Sequence, residues 1–147
     1  MPGQQLHCAP WVVPVAGPVL AEGGVVVEQG RIVAVDVVPA LRQRFPAAEA
    51  IPHPQTALTP ALINAHIHLE LSHLTELSRM PLATTFAGWI VKLLSLRDSL
   101  GATGSRVEQA AQRTADDQYR QGVGVLADIG NTGVGQQLVA DFPGRIL

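Results

Sequence analysis

The chain has 147 residues, a net charge of −2, 47% hydrophobic residues and 15% charged ones. That balance excludes a disordered chain, and a single lysine (Lys92) among scattered arginines excludes a nucleic-acid partner. With Cys8 as the one cysteine there is no intramolecular disulfide.

No apolar run reaches the roughly 18–20 residues of a membrane span, and Met1 to His7 lacks a signal-peptide pattern. The expectation is a cytoplasmic protein without a membrane partner.

Residues 5 to about 57 read as β structure. Leu6 to Val15 is apolar but interrupted by Pro10 and Pro14, which suits an edge strand. Glu22-Gly23-Gly24 reads as a turn. Val25 to Glu28 and Arg31 to Asp36 flank Gln29-Gly30, the pattern of a β-hairpin. Leu41 to Arg44 allows one helical turn. Pro46, Pro52 and Pro54 read as a linker.

From Leu58 the pattern changes. Leu62 to His68 is a short, mostly apolar run that suits a strand buried on both faces; a buried helical turn is the alternative. Thr84 or Thr85 caps a helix to about Leu96. In it, Phe86, Trp89, Ile90, Leu93 and Leu94 form an apolar face, with Trp89 expected to pack within a barrel. Ser105-Arg106-Val107-Glu108 has the capping-box pattern, and Val107, Ala110, Ala111, Thr114, Ala115 and Gln118 continue an inner face to a stop at Gly122. Val123 to Ala127 reads as a second buried strand. A polar loop, Asp128 to Gly133, a short helix, Val134 to Phe142, and the start of a third strand at Arg145 follow. This alternation predicts parallel α/β units.

The sharpest chemical feature is His66-Ile67-His68. On a strand, residues two apart share a face, so both imidazoles can reach one divalent ion. Alone the pattern is weak. It ends an apolar strand, however, and in a (β/α) barrel the chemistry sits at the carboxyl ends of the strands.

Thr59-Pro60-Ala61-Leu62-Ile63-Asn64-Ala65-His66-Ile67-His68-Leu69-Glu70-Leu71-Ser72 resembles the first barrel strand of the amidohydrolase superfamily. The branch it is most similar to includes cytosine deaminase, chlorohydrolase and aminofutalosine deaminase relatives. Gly23 to Val35 is similar to the head domain before the barrel, and Gln121 to Asn131 resembles the second strand and its loop. The resemblance implies an α/β protein: a small β-sandwich head over 1–57, then over 58–147 the amino-terminal part of a metal-dependent hydrolase (β/α)8 TIM barrel, incomplete.

It also implies a metal-dependent hydrolase acting on carbon–nitrogen bonds other than peptide bonds, an aminohydrolase or deaminase of a heterocycle. His66 and His68 would be ligands to one divalent metal ion, zinc first and iron second. The metal lowers the pKa of a water so that hydroxide serves as nucleophile. The partner is a small-molecule substrate, with a homo-oligomer left open.

Ala61 stands where relatives usually have glycine, used there either for a positive φ or to relieve crowding. Further ligands and the catalytic groups are expected beyond Leu147. The chain therefore reads as an amino-terminal fragment, inactive alone. The alternatives are a non-catalytic truncated homologue or interaction fragment, and an amide hydrolase or chlorohydrolase of the same superfamily.

Around the pair, Glu70 and Ser72 are candidates for substrate binding, the alternative for Glu70 being a loop carboxylate. Asn64 and Asp128 are candidates for orienting the ligands, the alternative for Asp128 being a turn aspartate bonded to its own backbone. His73 reads as a solvated or capping residue, His7 and His53 as surface residues, and Cys8 as a buried structural thiol.

Overall fold

The computed structural model describes residues 3–81, 83 and 85–147. The chain divides into two compact units, 1–60 and 61–147.

In the first unit, β1 (Gln5–Val12), β2 (Leu20–Glu28), β3 (Arg31–Val37), β4 (Glu49–Pro52) and β5 (Ala57–Leu58) form one five-stranded sheet in the order β3-β2-β1-β4, with β5 also on β1. The predicted hairpin is β2–β3. Gln29 and Gly30 both have positive φ (51° and 73°), which matches the twist of a two-residue hairpin turn. Helix α1 (Val38–Arg44) buries Leu41 against Leu6 and Val26.

Three expectations for this unit are corrected. β1 is central, not an edge: β2 pairs with it antiparallel on one side, and β4 then β5 pair parallel on the other. Pro10 is tolerated because it falls in a gap of both ladders. The β4 pairing ends at Cys8, β5 begins at Trp11, and the β2 register passes from Ala9 to Trp11. Its missing N–H therefore loses no ladder bond.

Glu22-Gly23-Gly24 lies inside β2 rather than in a turn. The glycines are needed for close approach, since a Cβ at Gly23 would meet Val12 Cγ2 at 2.7 Å and one at Gly24 would meet Leu6 Cδ1 at 2.9 Å. The proline-marked stretch is not a plain linker, because it contains β4 and β5. His7 and His53 are half-buried and paired, Nδ1 to Nε2 at 2.9 Å with nearly parallel rings. Cys8 is half-buried against the core.

The second unit contains β6 (Leu62–Ile67), two 3-10 turns (Leu69–Leu71 and Thr75–Arg79), α2 (Phe86–Leu100), α3 (Ser105–Arg120), β7 (Val123–Asp128), α4 (Val134–Leu138) and β8 (Arg145–Ile146). Its strands form a parallel sheet, β6-β7-β8. The core joins Leu69, Val107, Ala111, Ala115, Leu126, Leu138 and Phe142.

Helix α3 buries Val107, Ala110, Ala111 and Ala115, the stripe its periodicity predicts, and Gly122 (φ 89°) follows its end. Its start differs. Gly104 (φ 100°) is the N-cap and Ser105 is already helical, so the capping box does not form. The turn made by Gly104 moves the serine one residue inward, past the position from which its hydroxyl can cap.

Helix α2 is capped by Thr85, whose Oγ1 accepts from Gly88 N at 3.1 Å; Thr84 lies outside the described residues. Its apolar face is not packed as predicted. Only Leu93 is buried, and Trp89 is 40% exposed. Nor is β6 buried on both faces. Leu62 and Ile63 are exposed, since no described element packs over their side chains, and β6 ends its sheet, paired with β7 alone.

Ala61 has no positive φ, so the strain reading falls away. Space is the issue. A Cβ at Gly124 would lie 2.7 Å from Ala61 Cβ, so the glycine on β7 makes room for the alanine before β6. Gly124→Ala should therefore destabilise this unit by about 1–3 kcal/mol through overpacking. Urea melts should find most of that loss restored in Ala61→Gly/Gly124→Ala. A double variant no better than the single one would refute the pairing.

Candidate metal centre

The β6–β7 ladder is irregular where it matters. Asn64 pairs with Leu126 and Ile67 with Asp128, so Ala65 and His66 on β6 face the single residue Ala127 on β7. This is a β-bulge, and it breaks the alternation that would put Asn64 and His66 on one face. Asn64 sends its Nδ2 to Gln118 Oε1 of α3 (2.9 Å), while its Oδ1 accepts from the His66 backbone N–H (3.2 Å). It thus satisfies a donor at the bulge and ties β6 to α3 rather than touching the His66 ring.

His68 lies just past the strand end. Its Nδ1–H donates to the Ile129 carbonyl at 2.6 Å. A carbonyl only accepts, so the proton sits on Nδ1 and the lone pair stays on Nε2. His66 Nε2 lies 3.1 Å from His68 Nε2, and the rings meet at 75°.

Two nitrogens bound at roughly 2.0–2.1 Å to one tetrahedral zinc would be about 3.3 Å apart. The observed spacing fits such a pair, as does the carbonyl behind His68. His66 is exposed and His68 half-buried. Among the described residues, no third His, Cys, Asp or Glu joins them.

Two carboxylates cross between the loops that follow β6 and β7. Asp128 Oδ1 accepts from Leu69 N at 2.9 Å, which fixes the backbone directly after His68. It bonds across the loops, not to its own turn. Its Oδ2 is so close to Gly135 that a Cβ there would collide with it.

In the other direction, Glu70 accepts from Asn131. Oε2 takes the backbone N–H at 2.9 Å and Oε1 takes Nδ2 at 3.0 Å. Glu70 is only 3% exposed. Burial pushes its pKa up. The Asn131 side chain, Thr132, the Asn131 N–H and the charge of Arg97 outweigh burial and hold the carboxyl below the ordinary glutamate value. Thr132 Oγ1 is buried without a partner at bonding geometry and acts on the carboxylate as a nearby dipole.

Glu70 also lines a recess of about 300 Å3 beside His68, walled by Trp89, Leu93 and Arg97 of α2; Ser72 does not line it. Ser72 closes the first 3-10 turn, its N–H donating to Leu69 O. His73 is buried, contrary to the solvated reading. Its ring nitrogens lie 3.0 and 2.9 Å from the carbonyls of Glu70 and Gly101, tying the turn after His68 to the end of α2. Ile129 and Asn131 escaped the sequence reading, and Gln118 was read only as part of the inner face of α3, without its partner Asn64. Ile129 acts through its carbonyl and leaves no side-chain signal. Asn131 was visible only as part of a polar loop.

A carboxyl with a lowered folded-state pKa stabilises fully above its unfolded value, near 4.5 for glutamate, and loses that contribution as pH falls through the folded value. Glu70→Gln should therefore cost about 1–2 kcal/mol near pH 7. Melting curves of the two proteins should converge below pH 4.5. A gap that persists or widens in acid would refute the ionised clamp.

The sequence matches no protein-family model and no curated protein. Solved structures do match. Helicobacter pylori aminofutalosine deaminase, in complex with methylthio-coformycin, is 25% identical over 97% of this chain and 34% of its own, with a TM-score of 0.77. A Xanthomonas campestris adenosine deaminase with bound zinc is 20% identical over 97% of this chain and 33% of its own (TM-score 0.72). Guanine deaminase from C. acetobutylicum, with guanine in its active site, is 11% identical over 95% of this chain and 33% of its own (TM-score 0.73). The last two share the fold. The chain spans about a third of the length of these proteins. With a sheet unit, the opening strands of a barrel and a match along nearly its whole length to such deaminases, the chain resembles the amino-terminal third of amidohydrolase-superfamily enzymes, and is of hydrolase type by that resemblance.

Proposed function

We propose that this chain contributes the first half of a metal site to a hydrolase of carbon–nitrogen bonds other than peptide bonds. The observation that carries the reading is the His68 ring. Its Nδ1–H is bound to the Ile129 carbonyl, and its Nε2 lies 3.1 Å from His66 Nε2. His66 and His68 would hold one divalent ion through those two nitrogens, with zinc the first choice. When bound, the ion supplies Lewis acidity and a water of lowered pKa.

The chain's own residues do the rest of the positioning. Ile129 keeps the His68 proton on Nδ1, Asp128 holds the backbone after His68, and Asn64 holds the His66 N–H in the bulge. The recess under Trp89 and Leu93 offers an apolar wall beside His68, suited to a flat ring. The reaction is deamination: water adds at a ring carbon bearing an amino group, and ammonia leaves. The aminofutalosine, adenosine and guanine deaminases that the chain resembles support an amino-substituted heterocycle as substrate.

A catalytic zinc normally takes three protein ligands, and the described residues bring two together. Turnover then needs a ligand from a second copy or from sequence outside these residues, and the 147-residue chain alone should be inactive.

The test is a Zn2+ titration of the chain against a competing chelator and, on protein in which the third ligand is also present, an ammonia-release assay on amino-purines. We expect binding of one ion per chain, weakened at least about tenfold in His66→Ala and in His68→Ala. Equal binding by the double variant would sink the metal assignment. A metal-loaded site that hydrolyses esters and releases no ammonia would sink the carbon–nitrogen assignment.

A further inference from the structure

We propose that Glu70 is a positioning residue for His68: by gripping Asn131 it keeps the Ile129–Gly130 peptide from turning over, and so holds the carbonyl that fixes the His68 proton. As far as it concerns metal affinity, this rests on the reading of His66 and His68 as ligands.

Three backbone donors anchor the start of the loop after β7. Asp128 N–H donates to Leu147 O (3.0 Å), Ile129 N–H to Ile67 O (2.8 Å) and Asn131 N–H to Glu70 Oε2 (2.9 Å). Between the last two anchors lies the peptide unit that carries the Ile129 carbonyl. Its far side is Gly130, the residue type that resists rotation least. With Ile129 N–H pinned on one side, the Asn131 anchor on the other restrains this unit from rotating about Gly130 and withdrawing its oxygen from His68.

The Glu70 grip is two-armed, with backbone N–H on one oxygen and Nδ2 on the other, so it fixes both the position and the direction of Asn131. Glu70 has no free oxygen and is 3% exposed, which leaves it little face for a substrate.

The consequence is chemical. Without the carbonyl, the His68 proton can move to Nε2, and a protonated nitrogen cannot bind a metal. The groups behind a metal-binding histidine typically change metal affinity by about 10–100-fold when removed.

The experiment records long-range 1H–15N correlations of the imidazoles in the metal-free, 15N-labelled chain, with His68 assigned by His68→Ala. The wild type should have His68 with its proton on Nδ1. Glu70→Ala should give a mixture of the two tautomers and a Zn2+ affinity at least about tenfold weaker. Glu70→Gln, which keeps an acceptor for the Asn131 N–H, should retain the Nδ1–H form. The His73 signals, from the same unit, should stay near their wild-type positions and report that this unit is folded.

A folded Glu70→Ala chain with unaltered His68 nitrogen shifts would overturn the proposal; loss of melting temperature alone would mark Glu70 as merely structural. Should Glu70→Ala fail to fold, Asn131→Ala removes only the Nδ2 arm and carries the same two outcomes. If the wild type binds no zinc, the metal reading falls, while the tautomer shift still decides the role of Glu70.

Discussion

An imidazole offers a chosen nitrogen to a ligand only when its other nitrogen is occupied. In this chain that task falls to one backbone oxygen, the carbonyl of Ile129, 2.6 Å from His68 Nδ1. Much of the second unit serves to keep that oxygen in place. The β6–β7 ladder continues past the strand ends as Ile129 N–H to Ile67 O. Asp128 and Glu70 then cross in opposite directions, each accepting from a backbone N–H of the other loop. A buried carboxylate is unfavourable unless its oxygens are satisfied. Here the requirement is met by the backbone donors that loops after strands leave free, so the same bonds remove the penalty and order the loops.

The two long helices divide the labour of packing. Helix α3 presents a stripe of alanines around Val107, and the small side chains let it lie close to β7 and the turn after His68. Helix α2 keeps large side chains and buries only Leu93. Its exposed Trp89 and half-buried Arg97 stand over the recess beside His68, so this helix forms a wall more than a buttress. His73 connects the two roles by bonding the carbonyl at the end of α2 to the turn that carries Glu70.

What the sequence disclosed follows from which signals are local. Gln29-Gly30 specifies a hairpin through its own φ preferences, and the α3 stripe is a matter of spacing; both are found where expected. His66-x-His68 could be singled out because imidazole is a residue type able to hold a metal, and the structure brings the two rings together. Misreadings arose where distant partners decide. Pro10 looks like an edge residue until the gap between β4 and β5 is known, and Ser105 looks like a cap until Gly104 adopts its positive φ. The bulge at Ala65–His66 is a mismatch of register between two strands, and no single stretch of sequence encodes it. The Ile129 carbonyl is a main-chain group, identical in every residue type. For that reason the most consequential partner of His68 was the least visible.

The crossed carboxylates also bear on how these loops can change over evolutionary time. Loops after barrel strands ordinarily vary in length one by one. Here Leu69 and Glu70 of one loop are each bonded to a partner in the other, Asp128 and Asn131, 59 and 61 positions further along the chain. An insertion between His68 and Glu70, or between Asp128 and Asn131, would shift one donor–acceptor pair out of step with the other. The two segments can therefore accept indels only outside these short spans or in matched pairs, and diversity should gather beyond them, toward Ser72 on one side and Gly133 on the other.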